Sequence, residues 1–397
     1  MIREGDSDSV VPSYHGPGAS LFWLMLGTTL LNVLTLGLYR FWQRTKLRRH
    51  YWNGIRVAGS PLEYSGTGLE KFLGFLIAVV FLAVYLGLFQ IGFFFLGLQL
   101  SGGSDIVGLF SALPVVPLLF YAQYRARRYQ LSRTQLRGIR FAMRPAALAY
   151  TGRAMVHLLY VVPTLGLLWP RMHWHLEKFR ADRTHFGSLH LLQGGRWQPM
   201  LRPWLFVLFT SFLPYGLSLA LLIADRPVAA GLSALLLLLS PFALAHYNVV
   251  AFRVLTEGKS LGSITFRSDA RTGTVIAIHM LAYLLIAVIG SVMLTVGLAL
   301  YGLLGGESVS LAAMVEIEAA SDIPTGLIAL IGGILLVNVL LNAPLLAVFI
   351  TQPVLAHYVE TLTVENAWEL DEVRQRALDD FAEADGFADA LDAGGAF

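Results

Sequence analysis

Eight long apolar stretches alternate with polar segments along most of the chain. Each is eighteen residues or longer, which is about the length that a helix needs to cross a hydrocarbon core of about 30 Å. The pattern predicts a polytopic membrane protein. The stretches comprise residues 21–38, 72–98, 106–124, 148–168, 204–223, 229–250, 274–304 and 326–350.

Composition supports the same class of protein. Hydrophobic residues make up 56% of the chain and charged residues 14%, with a mean hydropathy of +0.62, which is too apolar for a soluble protein of 397 residues. The chain has no cysteine, which excludes disulfides and thiolate chemistry. Residues 1–20 carry charges and no apolar core, so we expect no cleaved signal peptide and interpret them as a mobile cytoplasmic arm.

Lysine and arginine are concentrated in four segments between apolar stretches. If all eight stretches crossed, two of these segments would lie outside, contrary to the excess of positive charge in cytoplasmic loops. If 21–38 and 148–168 instead dip and return as re-entrant helices, or lie in the interface, six helices cross and the C-terminus is cytoplasmic. The sequence predicts this positive-inside arrangement. The four segments are 39–71 and 125–147 with seven basic residues each, 169–202 with six, and 251–273 with four.

Recurring motifs predict a parallel internal repeat. The sequence Thr-Leu-Gly-Leu ends an apolar stretch at residues 35–38 and again at 164–167. Units that cross the membrane an even number of times keep the same orientation, as in transporters built from parallel repeats. The predicted division is a first membrane repeat at 21–145, a second at 146–273, a degenerate third unit at 274–365 and an acidic cytoplasmic tail at 366–397.

The basic segments also contain short two-residue alternation, which is typical of strands. We interpret each as a helix extension leading into a small β-ribbon, with ribbons pairing beneath the membrane. The predicted fold class is therefore an all-α polytopic membrane protein with about six crossing helices, two dipping or interfacial helices, and small cytoplasmic β-ribbon elements. The alternating segments are 60–64, 136–141, 186–191 and 261–266.

The paired broken helices indicate where a solute could pass. In repeat-built transporters, discontinuous helices at corresponding positions mark the binding site. A glycine helix cap is the alternative role of each motif taken singly. Arg153 lies inside an apolar stretch, where it is either functional or able to reach the headgroups. The pathway candidates are Asn32, Thr35, Gly37, Tyr39, Arg153, His157, Thr164 and Gly166.

Aromatic residues recur within the basic segments and make a second group of candidates. These segments either anchor the chain among anionic headgroups or form a shared cytoplasmic vestibule that concentrates an anionic solute. The basic and aromatic cassette residues are Trp42, Arg48, Arg49, Tyr51, Asn53, Tyr64, Arg127, Arg128 and Tyr129.

Several functions lack support in the sequence. We find no phosphate-binding loop, nucleophile elbow, zinc-protease motif or matched carboxylate pair, so we expect no enzyme and no cofactor. The histidines at 173, 175, 185 and 190 have spacings better suited to a membrane interface than to a metal site. The basic residues belong to juxtamembrane loops, which argues against nucleic-acid binding.

Residues 32–68, NVLTLGLYRFWQRTKLRRHYWNGIRVAGSPLEYSGTG, resemble the signature of the YjgN family of bacterial inner-membrane proteins. Matching positions are Trp42, Arg48, Arg49, Tyr51, Asn53, Gly59 and Tyr64, and residues 14–16, Tyr-His-Gly, stand where the family has Phe-x-Gly. His50, residues 55–56 and the degenerate third unit depart from the pattern. The resemblance implies a multi-pass protein of the bacterial inner membrane and supplies no reaction or ligand.

Two functions follow as expectations. The first is a transporter or channel for a small anionic or zwitterionic solute, lined by the dipping segments. The second is a membrane scaffold whose basic face binds anionic headgroups or a protein partner. A homo-oligomer and docking of the acidic tail on the basic loops are compatible with either.

Overall fold

A computed structural model describes residues 9–99, 114–303 and 325–375. The chain divides into two compact units. The first comprises Met1–Gly16, Arg44–Thr272 and Ala356–Phe397, and the second comprises Pro17–Gln43 and Gly273–Leu355. This division does not follow the linear order of the predicted repeats.

Long apolar helices carry the membrane-embedded part. Five segments of the described residues are long and apolar enough to cross a bilayer: Gly68–Gly97, Gln198–Ile223, Pro227–Glu257, Thr272–Leu303 and Ile328–Glu360. The predicted crossing at 106–124 lies partly outside the described residues. The helices are α1 (Gly18–Leu34), α2 (Arg40–Gly54), α3 (Gly68–Gln99), α4 (Val115–Ser132), α5 (Ala147–Val161), α6 (Trp169–Ala181), α7 (Leu201–Val207), α8 (Leu213–Ile223), α9 (Pro227–Ala234), α10 (Ser240–Glu257), α11 (Thr272–Leu303), α12 (Thr325–Leu346), α13 (Gln352–Glu360) and α14 (Glu369–Glu372).

The first unit is built around one antiparallel sheet of eleven strands. Four helices, α2, α4, α6 and α10, each lead directly into a short hairpin, and the hairpins pair in chain order. Register is set by pairs such as Leu62 with Leu136 and Leu191 with Leu261. The strands are β1 (Ser9–Val10), β2 (Ser13–Tyr14), β3 (Ile55–Val57), β4 (Ser60–Tyr64), β5 (Thr134–Leu136), β6 (Ile139–Met143), β7 (Thr184–Phe186), β8 (Leu189–Gln193), β9 (Lys259–Leu261), β10 (Ile264–Ser268) and β11 (Leu362–Glu365).

Two-residue turns close the four hairpins. Ala58-Gly59 and Arg137-Gly138 take positive φ at both central residues, whereas Gly187 and Gly262 take it at the first and are followed by serine. These are the two turn geometries whose twist suits a two-residue hairpin. All four turns therefore lie at one end of the sheet, and the helices that feed the strands lie at the other.

The N-terminal residues join the two edges of this sheet. Strand β1 pairs with β11 at one edge and β2 pairs with β3 at the other, with only Val11 and Pro12 between β1 and β2. Two residues span less than about 11 Å, so the sheet must curl until its edges nearly meet. We call this curled sheet, residues 9–14, 55–64, 134–143, 184–193, 259–268 and 362–365, the strand ring. Within the predicted N-terminal arm, residues 9–10 and 13–14 are thus strands at the two edges of the sheet.

The predicted fold class is also wrong. Segment 60–64 is a strand, and each of the other three alternating segments crosses a hairpin turn between two strands. These hairpins are not accessory ribbons on an all-α protein with six crossings. They merge into one eleven-stranded sheet, and five segments of the described chain are candidate spans. All four basic segments contribute strands to this one sheet. Because β6 pairs with β7, the segment between them, including α5, leaves the sheet and returns to it.

The second unit consists of apolar helices. Helix α1 packs against α12, and Gln43 Nε2 donates a hydrogen bond of 3.1 Å to Thr29 Oγ1. Gly297 in α11 allows close approach of α12, because a Cβ there would lie 2.8 Å from Ile334 Cδ1. Small residues permit this kind of backbone approach between membrane helices.

Candidate functional site

The strand ring encloses a cavity of about 340 Å³. Inward-facing side chains from nine strands line it, and most of them are aliphatic or phenylalanine. The volume is near the lower end for small-molecule sites and corresponds to roughly a dozen water-sized groups. Lining residues from the strands and arm include Pro12, Val57, Leu62, Leu136, Phe141, Phe186, Leu191, Leu261, Ile264, Phe266, Leu362 and Val364.

Charged residues line the part of the cavity nearest the helices. Glu177 of α6 accepts ion-paired hydrogen bonds from Arg180 Nη2 at 2.7 Å and from Lys259 Nζ at 2.9 Å. Arg127 of α4 also lines the cavity and, among the described residues, has no carboxylate within ion-pairing distance. We call these four residues the cationic end. They carry three positive charges and one negative charge.

The electrostatics of the cationic end follow from this imbalance. Burial alone would raise the pKa of the Glu177 carboxyl, but Lys259 and Arg180 outweigh burial and hold that pKa well below its ordinary value. Burial lowers the pKa of the Arg127 guanidinium, and the negative charge of Glu177 opposes that shift. Arg180 and Arg48 add positive potential at Arg127. An anion entering the cavity would therefore meet uncompensated positive charge in a dry setting, where electrostatic attraction is strong.

Several of the predicted cassette residues form a second cluster beside the strand ring. Arg48 lies 5.4 Å from the ring centre of Tyr64, and Lys71 lies 5.4 Å from Tyr64 and 5.9 Å from Tyr129. Tyr129 donates a hydrogen bond of 2.8 Å to Glu70 Oε2. Buried cation–aromatic contacts of this kind stabilise the junction between helices and strands.

The remaining cassette residues are dispersed. Arg49 and Arg128 donate hydrogen bonds to the backbone carbonyls of Gly66 at 3.3 Å and Met143 at 3.1 Å. Arg49 thus joins α2 to the chain just after β4, and Arg128 joins α4 to the last residue of β6. Tyr51 is fully buried, and Asn53 is exposed. Trp42 stacks on Tyr39 in the second unit. Of the nine, only Arg127 lines the cavity.

The solute-pathway candidates lie at two chain breaks in different units. Asn32, Thr35, Gly37 and Tyr39 belong to the second unit, and Arg153, His157, Thr164 and Gly166 to the first. None of the eight lines the strand-ring cavity.

The two threonines and glycines form local caps. Thr35 and Thr164 hydroxyls donate to the carbonyls of Leu31 at 2.8 Å and Tyr160 at 2.7 Å. Gly37 and Gly166 take φ of 91° and 84°, which is the left-handed geometry that ends a helix.

The other candidates in the first unit contact aromatic and histidine rings. The Arg153 guanidinium lies 4.8 Å from the ring centre of Phe179, and His157 stacks on His175 at 4.9 Å. Within the described residues, no group of three histidine, aspartate or glutamate side chains is placed to hold a metal ion.

Sequence reasoning missed three of the four residues at the cationic end. Glu177, Arg180 and Lys259 lie in segments recognised only as basic. The available signal was Glu177 itself, a single acidic residue within the basic helix α6, three residues before Arg180.

A separate groove of about 790 Å³ runs between α3, α4 and α5. Its walls are apolar, with Ile77 and Phe81 among them, and Arg125 and Arg133 contribute charge. Arg133 is paired with Glu70 at 3.2 Å. Apolar walls with basic residues suit a lipid tail and an anionic headgroup.

These features define a multi-pass membrane protein whose juxtamembrane loops combine into a ligand-sized strand ring. The chain belongs to the family described as "Bacterial protein of unknown function (DUF898)", which matches residues 11–390. It is 28% identical over 142 residues to "Inner membrane protein YjgN" of Escherichia coli O157:H7, covering 36% of this chain and 33% of the relative. The protein of the same name from Salmonella typhimurium LT2 is 26% identical over 141 residues, with the same shares covered.

These comparisons confirm the resemblance to the YjgN family and the location in the bacterial inner membrane. The aligned part spans about a third of the length of these relatives. No solved structure matches the chain.

Proposed function

We propose that this protein binds a small amphipathic anion inside the strand ring at the surface of the inner membrane. The observation that carries the proposal is the cavity itself, where an apolar wall leads to three cations and a single carboxylate, which leaves an excess of positive charge. Sites for small molecules combine apolar walls with a few convergent polar groups in this way. The proposed ligand has a body of about ten heavy atoms, from the cavity volume, and a single anionic head.

The expected orientation supports a cytoplasmic ligand. Strands β3 to β10 lie within the four basic segments. Basic loops favour the cytoplasmic side. A more specific version of this proposal is transport. In a transporter the strand ring would be the site where the solute first binds, before it crosses the membrane.

Three ligands with the same eight-carbon chain test the head-group requirement. Octanoate, octanol and octylammonium would be added to the full chain in nanodiscs of zwitterionic lipid, and the unfolding temperature would be followed. A ligand that binds only the folded state raises this temperature with concentration. We expect octanoate alone to stabilise the protein.

A charge-matched variant pair assigns the effect to the cavity. Arg127→Gln removes the cation that has no carboxylate within ion-pairing distance among the described residues, and Arg196→Gln removes one positive charge from an exposed position outside the lining. Octanoate should stabilise Arg196→Gln as it does the parent, and Arg127→Gln at least tenfold more weakly in apparent affinity. Equal responses to octanoate and octylammonium would refute the proposal.

The groove between α3, α4 and α5 favours a second candidate function, a scaffold that binds anionic lipid. Replacing Arg125 with Gln should then weaken retention of an anionic phospholipid during purification without altering the octanoate response. If octanoate has no effect and the anionic lipid is retained, the scaffold proposal replaces the ligand-binding one.

A further inference from the structure

The turn end of the strand ring is covered by a segment that follows the last strand. Residues 366–375, which we call the strap, run from the end of β11 and include the short helix α14. Leu370 of the strap lines the cavity, and Leu370 and Val373 are buried with the apolar side chains of the ring. The strap therefore closes the end of the cavity opposite the helices.

Polar contacts join the strap to three of the four hairpin turns. Ser263 donates to Glu369 Oε2 from both its amide and its hydroxyl, each at 2.7 Å. Arg137 pairs with Asp371, and the Arg374 amide donates to Ser188 Oγ at 3.5 Å. These contacts are hydrogen bonds and an ion pair at exposed positions, which is the type of attachment that opens locally before a fold does.

The space around the turn glycines shows how closely the strap packs against the turns. A Cβ on Gly187 would lie 2.6 Å from the Arg374 carbonyl oxygen, and one on Gly262 would lie 2.5 Å from a carboxylate oxygen of Glu369. Gly59 and Gly138 also take positive φ, at the second rather than the first central position of their turns, and a Cβ on either would meet no described atom within 4 Å. Two of the four turns are thus occupied by the strap at a distance that excludes any side chain.

We propose that the strap is a releasable lid, so that a ligand enters the strand ring from the turn end when residues 366–375 lift away. This inference rests on the proposed binding function. The entering anion passes Leu370 and the apolar wall before its head reaches Arg127 and Lys259. The charged side chains Asp371 and Arg137 at the rim make the closed state sensitive to ionic strength, since exposed pairs are screened by salt.

The first test measures access to the cavity without any ligand. The native chain has no cysteine, so a single Leu191→Cys reports on the lumen, and the neighbouring Leu192→Cys reports on the outer face, because successive strand residues point to opposite sides. Each is labelled with a water-soluble thiol reagent. Gly187→Ala should lift the strap and speed labelling at 191 at least tenfold, with no change at 192.

Gly59→Ala is the control, since it also places an alanine at positive φ, at a turn where the added Cβ would meet no described atom within 4 Å. Labelling at 191 as slow in Gly187→Ala as in Gly59→Ala would overturn the lid. If Gly187→Ala fails to fold, Glu369→Ala provides the opening variant. Its control is Glu372→Ala, because Glu372 is exposed and makes no contact with a turn among the described residues.

The second test separates the lid from the binding function. A disulfide between Ser188→Cys and Arg374→Cys should hold the strap closed and slow octanoate association at least tenfold, with full recovery after reduction. Unchanged association in the oxidised protein would refute the lid and leave octanoate binding intact. Accelerated labelling of Gly187→Ala without any octanoate binding would support the lid and refute the proposed ligand.

Discussion

Replacing Glu177 with glutamine should destabilise the protein and strengthen anion binding at the same time. Glu177 holds Arg180 and Lys259 at 2.7 and 2.9 Å inside the fold. Without the carboxylate, three cations face the cavity with no counter-charge. The folded state then contains unpaired buried charge, and the same unpaired charge attracts an anionic ligand.

The burial of the three side chains sets the size of the stability loss. Exposed fractions are 13% for Glu177, 23% for Arg180 and 20% for Lys259. Removing one partner of a buried ion pair costs about 3–5 kcal/mol. The two cations keep some surface toward the cavity, so we take the lower end, about 3 kcal/mol, which corresponds to a fall of roughly 4 °C in the unfolding temperature of a chain of 397 residues.

The assay is thermal unfolding in zwitterionic nanodiscs, with and without octanoate. Glu257→Gln is the control, because Glu257 pairs with Arg253 at 3.9 Å with both side chains nearly half exposed. An exposed pair contributes about 0–1 kcal/mol, so this control should shift by no more than about 1 °C. A fall in Glu177→Gln equal to that of the control would refute the reasoning about the cationic end. Weaker octanoate binding by Glu177→Gln than by the parent would contradict the role assigned to its charge.

Three further predictions concern stability. The depressed pKa of Glu177 means that its contribution is present above the ordinary value of 4.5 and is lost as pH falls below it, so the difference in unfolding temperature between the parent and Glu177→Gln should shrink from pH 6 toward pH 3. Tyr124→Phe removes a 2.6 Å hydrogen bond to the Arg144 carbonyl and should cost about 1–2 kcal/mol in denaturant titration. Trp204→Phe removes the 2.8 Å bond to the carbonyl of Gly166 and should cost about as much, with faster hydrogen exchange at the turn after α5.

The sequence predicted the local elements of the strand ring and missed their assembly. Alternation in segments such as 60–64 identifies a strand because side-chain direction repeats every two residues. Pairing of Leu62 with Leu136 joins residues far apart in the chain, and periodicity within either strand contains no information about that partner. The same limit applies to the arm, where β1 and β2 are each two residues long and become strands only through the edges they join.

The candidate site shows a similar division. The sequence predicts Arg127 as a cassette residue because it lies in a basic and aromatic segment. The ion pair of Glu177 with Lys259 could not be predicted, because α6 and β9 meet only after β8 pairs with β9. The two Thr-Leu-Gly motifs lie where α1 and α5 end, and their threonine hydroxyls bond to their own helices.

The most direct test of anion binding inside the strand ring is to fill its cavity with a larger side chain. Leu191 lines the cavity, and its neighbour Leu192 is 49% exposed on the other face. Equilibrium dialysis of labelled octanoate should give about one saturable site per chain for the parent and for Leu192→Trp, and none for Leu191→Trp, with all three proteins folded by thermal unfolding. Retention of the saturable site in Leu191→Trp would contradict binding within the ring.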